Sequence, residues 1–128
     1  MKQLIDIEIL GEPVAKGRPR MGKYGVYTPT KTRQAEEAIG WAIKQKYPGL
    51  EPITGEVALE LEFYEGVKKG RPNDLDNFMK LVSDALNGIV WMDDSQVTKI
   101  TAELHRKAKN PRTIIKVTKR RRDNEDRG

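Results

Sequence analysis

Cysteine is absent from this 128-residue chain, and histidine occurs once, as His105. Without thiols there is neither a disulfide framework nor a zinc–thiolate site, and no Cys–His nucleophile pair. A single imidazole also excludes metal centres built on several histidines. No segment reaches the ~20 consecutive apolar residues that span a bilayer. The opening MKQLIDIEIL carries Asp6 and Glu8 too early for a signal peptide. These features predict a cytoplasmic protein. One further absence is local: glutamate does not occur in residues 71–96, RPNDLDNFMKLVSDALNGIVWMDDSQ. Every acid of that stretch is an aspartate: Asp74, Asp76, Asp84, Asp93 and Asp94. Aspartate holds its carboxylate near the backbone with few rotamers to freeze, which suits convergence on a hard cation.

The rest of the chain is basic. Its formal net charge is +5, with 37% hydrophobic and 34% charged residues. Such a chain makes one domain with a modest core. The positive charge is segregated. Residues 16–33 hold six Lys/Arg and no acid, Lys68, Lys69 and Arg71 directly precede the aspartates, and residues 119–122 open a tail that turns mixed in charge. Clustered cations favour a polyanion through phosphate contacts and counterion release, against the plain reading of a solvated basic face. Lys16, Arg18, Arg20, Lys68, Lys69 and Arg71 are the candidate DNA-binding residues.

The spacing of apolar residues predicts an α+β fold: a single small domain with a mixed β-sheet and two main helices. Ile5, Ile7 and Ile9 alternate in a strand over residues 4–10, and Val57, Leu59, Leu61 and Phe63 alternate in another over 56–65. Residues 11–29, rich in Gly and Pro, read as a long loop with a short hairpin around Tyr24–Tyr27; a run of that length is usually functional or mobile. A helix from Thr30 to Tyr47 presents Ala35, Ala38, Ile39, Ala42 and Ile43, and Pro48-Gly49 stops it. A second helix starts at Pro72-Asn73-Asp74, presents Leu75, Phe78, Met79, Val82, Leu86 and Ile89, and ends at Asn87-Gly88. Strands at 97–106 (Ile100, Ala102 and Leu104 inward) and 112–118 (Ile115 and Val117 inward) complete the domain, residues 1–118. Residues 119–128 form a flexible tail.

Each aspartate admits two readings. Asp74 or Asp76 can cap the second helix and favour its dipole, but only one residue can be the cap. Lys80 stands four residues from both Asp76 and Asp84, as in a surface ion-pair ladder, or as a cation held beside a metal-bound phosphate. Asp93 and Asp94 suit a turn. If Asp74, Asp76 and Asp94 converge, they supply oxygens for one or two Mg²⁺ ions. That convergence carries a geometric condition. The helix between the clusters spans roughly 20 Å at about 1.5 Å per residue, so the chain beyond it must bring Asp94 back to the helix start.

The order of these elements resembles a known family. Lys-Gly-Arg-Pro-Arg near the start is followed by Asp74-Leu75-Asp76-Asn77, Lys80, Asp84-Ala85-Leu86-Asn87 and Trp91-Met92-Asp93-Asp94-Ser95-Gln96-Val97. From about Lys16 to Val117 the chain resembles the RusA family of Holliday-junction resolvases. The resemblance implies that Asp74, Asp76 and Asp94 are the metal-binding catalytic acids and Lys80 the catalytic lysine. It also implies Mg²⁺ (or Mn²⁺), a homodimer, and paired nicks in four-way DNA junctions during recombination and repair. Neither a membrane nor a small organic cofactor is implied. Asn73 stands where the family commonly has a basic residue or proline. A non-catalytic nucleic-acid-binding domain, and a Mg²⁺ nuclease acting on other branched DNA, are the alternatives.

Overall fold

The computed structural model describes residues 2–17, 20–22, 25–27 and 30–120. Strand β1 (Lys2–Leu10) is followed by a short hairpin of β2 (Arg20–Gly22) and β3 (Gly25–Tyr27), and then by helix α1 (Thr30–Lys46). Strand β4 (Val57–Tyr64), helix α2 (Leu75–Leu86), strand β5 (Val97–His105) and strand β6 (Arg112–Lys119) complete the order. The main sheet runs β1-β6-β4-β5. It is mixed: β6 lies antiparallel to both β1 and β4, while β4 and β5 are parallel. The parallel pair follows from connectivity, because a helical crossover returns the chain to the end of the sheet where β4 began. The expected α+β architecture is thus observed, with element ends within a few residues of those read from the sequence.

One face of the sheet builds the core. Register aligns Ile5, Val117 and Leu59 in one row and Ile7, Ile115 and Leu61 in the next, all of them buried. Onto these rows α1 sets Ile39 and Ile43, and α2 sets Phe78, Leu81, Val82, Ala85 and Leu86. Phe63 of β4 stacks on Phe78 with ring centroids 5.2 Å apart. No helix among the described residues is long and apolar enough to cross a membrane.

Two packing expectations need correction. On α1, Ala38 is exposed, whereas Thr32 and Gly40 are buried. Gly40 is inward because Ile89 approaches closely: a β-carbon there would stand 3.0 Å from Ile89 Cδ1. On β5, Ile100 continues the row of Leu59 yet remains 43% exposed. The alternation was read correctly, but β5 is the terminal strand and the core-facing side of its middle is only partly covered. The loop after β1 is also tied down rather than free. Gly11 N donates to Pro111 O, Lys16 N to Asn77 O, and Gly17 N to Thr32 Oγ1.

Truncating Phe78 to Ala removes a ring that two layers share. Chemical denaturation is expected to show a loss of about 3–5 kcal/mol.

Candidate functional site

Helix α2 begins where β4 and β5 end, and a buried acid fixes that junction. Glu65, 3% exposed, takes the Arg106 guanidinium at 2.9 Å on Oε1 and the Asn73 side-chain amide at 3.3 Å on Oε2. Arg106 Nη2 also donates to Asn73 O at 2.9 Å. The Glu65 backbone closes the set, its N–H donating to His105 O and its carbonyl accepting from Ala108 N. Asn73 therefore serves as a bracket holding the helix entrance. Periodicity could not reveal this. Glu65 follows directly on β4 as one more acid, and its partners come from 8 and 41 residues away.

Asp74 follows at the N-cap position with extended backbone (φ −88°, ψ 144°), and its side chain makes no capping hydrogen bond. The backbone carbonyl of Asp74 receives the Asn77 N–H at 3.1 Å, while the carboxylate stays exposed. Capping therefore does not account for this acid. Asp76, on the first turn, is also exposed and pairs with Lys80 Nζ at 3.2 Å. Both partners are well exposed, so the pair stabilises the fold by at most about 1 kcal/mol.

Asp84 does not complete the expected ladder on Lys80. It binds Lys16 at 3.0 Å, and Lys16 also binds Glu36 of α1 at 2.7 Å. Lys16 is thus a cross-brace between the two helices. Burial pulls its ammonium downward, but the hydrogen bonds and charges of Glu36 and Asp84 outweigh that and leave its pKa above the ordinary lysine value.

Beyond α2 the chain turns at Gly88 (φ +86°), and Trp91 is wholly buried. Asp93 organises the turn, accepting from Ser95 N at 3.3 Å and Ser95 Oγ at 2.9 Å. Gln96 ties this turn to the segment before β4 by donating to Ile53 O and Gly55 O. Asp94 receives the Trp91 indole N–H at 3.2 Å on Oδ1 and is otherwise exposed. Its place is at the β5 start, where Val97 pairs with Val57. Asp74 stands at the other end, beside Glu65 and Arg106. The helix between them covers about 18 Å at 1.5 Å per residue. Asp74 and Asp76 are neighbours; Asp94 is not brought to them within one chain.

A cleft of about 700 Å³ opens beside the α2 entrance, lined by the loop after β1 and the loop after β4. Lys68 and Lys69 line it, together with Glu65 and Asn73. Lys31, from the basic run but absent from the sequence-based candidates, lines it too. Arg71 is exposed next to it in sequence. Arg18 lies outside the described residues, and Arg20 belongs to β2. One further group is compact. Glu62, Glu103 and His105 on the open sheet face have ligating atoms within 4.8 Å of one another. Structural contacts account for much of it: His105 stacks on Tyr64 at 4.6 Å, and its Nε2 lies 3.3 Å from Glu103, though out of line for a hydrogen bond.

Exposed carboxylates at a helix mouth beside a lysine-lined cleft suit a protein that handles phosphate esters. The chain belongs to the RusA endodeoxyribonuclease family: the family model described as "Endodeoxyribonuclease RusA" matches residues 11–118. It is also 34% identical over 119 residues to the "Uncharacterized protein YqaN" of Bacillus subtilis (strain 168), a match covering 75% of this chain and 83% of that protein.

Replacing Lys16 with Met tests the cross-brace. Stability at neutral pH is expected to fall by about 1 kcal/mol, a charged hydrogen-bond loss discounted for partial exposure. Because the folded-state pKa is raised, the stabilisation is complete below the unfolded lysine value and is lost as pH rises through the folded one. Thermal melts should therefore show the two proteins converging at strongly alkaline pH.

Proposed function

We propose that this chain is a Mg²⁺-dependent, structure-selective endonuclease that acts as a homodimer and nicks four-way DNA junctions in pairs. Membership of an endodeoxyribonuclease family gives the class of reaction. The observation that carries the reading further is the Asp74 carboxylate, exposed at the α2 entrance with no cap bond to occupy it. Its chemistry fits a hard cation: Asp74, Asp76 and Asp94 offer only oxygen donors, and a few carboxylates with a substrate phosphate are the usual Mg²⁺ set. Mn²⁺ can take the same ligands. When bound, the ion supplies Lewis acidity toward the phosphoryl group and an activated water.

The protein side chains have separate tasks. Asp74 and Asp76 hold the ion from one helix turn. Lys80, already 3.2 Å from Asp76, keeps a cation one turn along the helix, where it orients the scissile phosphate and offsets charge as the leaving oxygen departs. Lys31, Lys68, Lys69 and Arg71 contact the DNA backbone along the cleft and carry no sequence information. Asp94 lies past the far end of α2 from Asp74 of the same chain, so in this reading the partner's Asp94 completes the donor set. Two such shared sites related by a two-fold axis match the two strands of a junction.

Nicking of a synthetic four-way junction, compared with linear duplex of the same sequence, tests this. Cleavage is expected with Mg²⁺ or Mn²⁺ and not with EDTA. Asp74→Asn should reduce nicking to background while junction binding is kept or strengthened, since a negative charge facing phosphate is removed. Equal losses of binding and cleavage, or no nicking with either cation, would leave only a DNA-binding domain. Preference for flaps over four-way junctions would reassign the substrate.

A further inference from the structure

An aspartate at the start of a helix ordinarily caps it, its side chain accepting from the N–H two or three residues on. Asp74 departs from that habit. Its backbone has the extended form of a cap, yet its carboxylate takes no such bond and stays exposed. The Asn77 N–H goes to the Asp74 carbonyl instead, at 3.1 Å. The start of α2 is therefore fixed by other groups. We infer that Glu65, Arg106 and Asn73 stand in for the missing cap, and are thereby positioning residues that leave the Asp74 carboxylate free for a divalent cation. The inference rests on the proposed role of Asp74 as a metal ligand.

Asn73 is held at both of its polar ends. Its side-chain amide donates to Glu65 Oε2 at 3.3 Å, and its carbonyl accepts from Arg106 Nη2 at 2.9 Å. That carbonyl belongs to the planar peptide joining Asn73 to Asp74, so Arg106 fixes the orientation of the bond that enters Asp74. The other terminal nitrogen of Arg106 donates to Glu65 Oε1 at 2.9 Å. A guanidinium makes both bonds at once because its donors form a rigid fork, which the single ammonium of lysine cannot reproduce.

The anchor behind this set is also fixed. Glu65 is buried, where leaving its charge unpaired is strongly unfavourable, so the bond to Arg106 persists. Its N–H donates to His105 O and its carbonyl accepts from Ala108 N. The next residue, Gly66, donates its N–H to the Glu12 carboxylate at 3.1 Å, and a β-carbon at that position would collide with the same carboxylate. Residues 65 and 66 are thus tied to β5, to the loop after β5 and to the loop after β1, and they pass that restraint to the residue before Asp74. Once the bracket is broken, the helix start recovers its ordinary cap. Asp74 turns onto the Asp76 or Asn77 N–H, and the cation loses a ligand.

Two readouts that need no catalysis test this: Mn²⁺ affinity, from the electron paramagnetic resonance of the free ion, and the amide ¹H–¹⁵N shifts of Asp76 and Asn77. Asn73→Ala keeps the buried Glu65–Arg106 pair, and Arg106→Lys keeps the charge while losing the fork. In both, Mn²⁺ affinity should fall by about 10–100-fold, as when a group that orients a metal ligand is lost. The Asp76 or Asn77 amide proton should move downfield as the cap forms. Ile43→Val, a core change on α1, should lower the melting temperature and move neither readout. The Mg²⁺ concentration for half-maximal nicking should rise in step with the Mn²⁺ constant, with the rate at saturating Mg²⁺ close to wild type. Bracket variants that bind Mn²⁺ like wild type, or whose Asp76 and Asn77 amides do not move, would overturn the positioning. So would an Ile43→Val protein that loses as much affinity as they do. A wild type that binds Mn²⁺ through Asp74, with Asp74→Asn as the comparison, yet never nicks a junction sinks the nuclease reading alone. A wild type that binds none there sinks both.

Discussion

The parallel pairing of β4 with β5 governs everything that concerns the site. Two adjacent parallel strands need a crossover, and the crossover helix must run back along the sheet. Whatever opens that helix is therefore separated from whatever opens the next strand by the length of the helix. In this chain the first position is Asp74 and the second is Asp94. Their separation is a consequence of topology: about 18 Å of helix lies between the two positions. In the proposed reading, a site using both acids is assembled from two chains.

Around this frame the charges fall into two groups. Lys16, Glu36 and Asp84 form a helix-to-helix brace, with Lys16 three-quarters shielded from solvent. Glu65, Arg106 and Asn73 form a bracket that positions the α2 entrance. Both groups are structural, and they leave other charges uncommitted. Asp74 is free of a cap bond, the Asp94 carboxylate accepts from an indole and is otherwise exposed, and Lys31, Lys68 and Lys69 border the cleft. Structural pairing thus sorts the charged residues into scaffold and working surface.

Much of this was legible in the sequence where a single element decides the outcome. Val57 to Phe63 and Phe78 to Leu86 bury as their periodicities require, and the helix stops at Pro48-Gly49 and Asn87-Gly88 act locally. Legibility failed where the answer depends on a second element. Ile100 alternates correctly but sits on a terminal strand. Gly40 is buried because Ile89 crosses it. Asp84 has two lysines in reach, four residues away on the helix or across space, and the distant Lys16 takes it. The Glu65 bracket combines residues far apart in sequence. The aspartate motif located the helix entrance, while the distance to Asp94 required the strand order.

The most direct measurement mixes two inactive proteins. Asp74→Asn and Asp94→Asn chains, each unable to nick a four-way junction alone, are unfolded and refolded together, and subunit exchange is verified by differently sized tags. If each site joins Asp74 of one chain to the partner's Asp94, every mixed dimer keeps one intact site. Random exchange then restores about a quarter of the wild-type sites, cutting one strand per junction. A mixture that exchanges fully and stays as inactive as its components would contradict the account, because each chain would then be building its site alone.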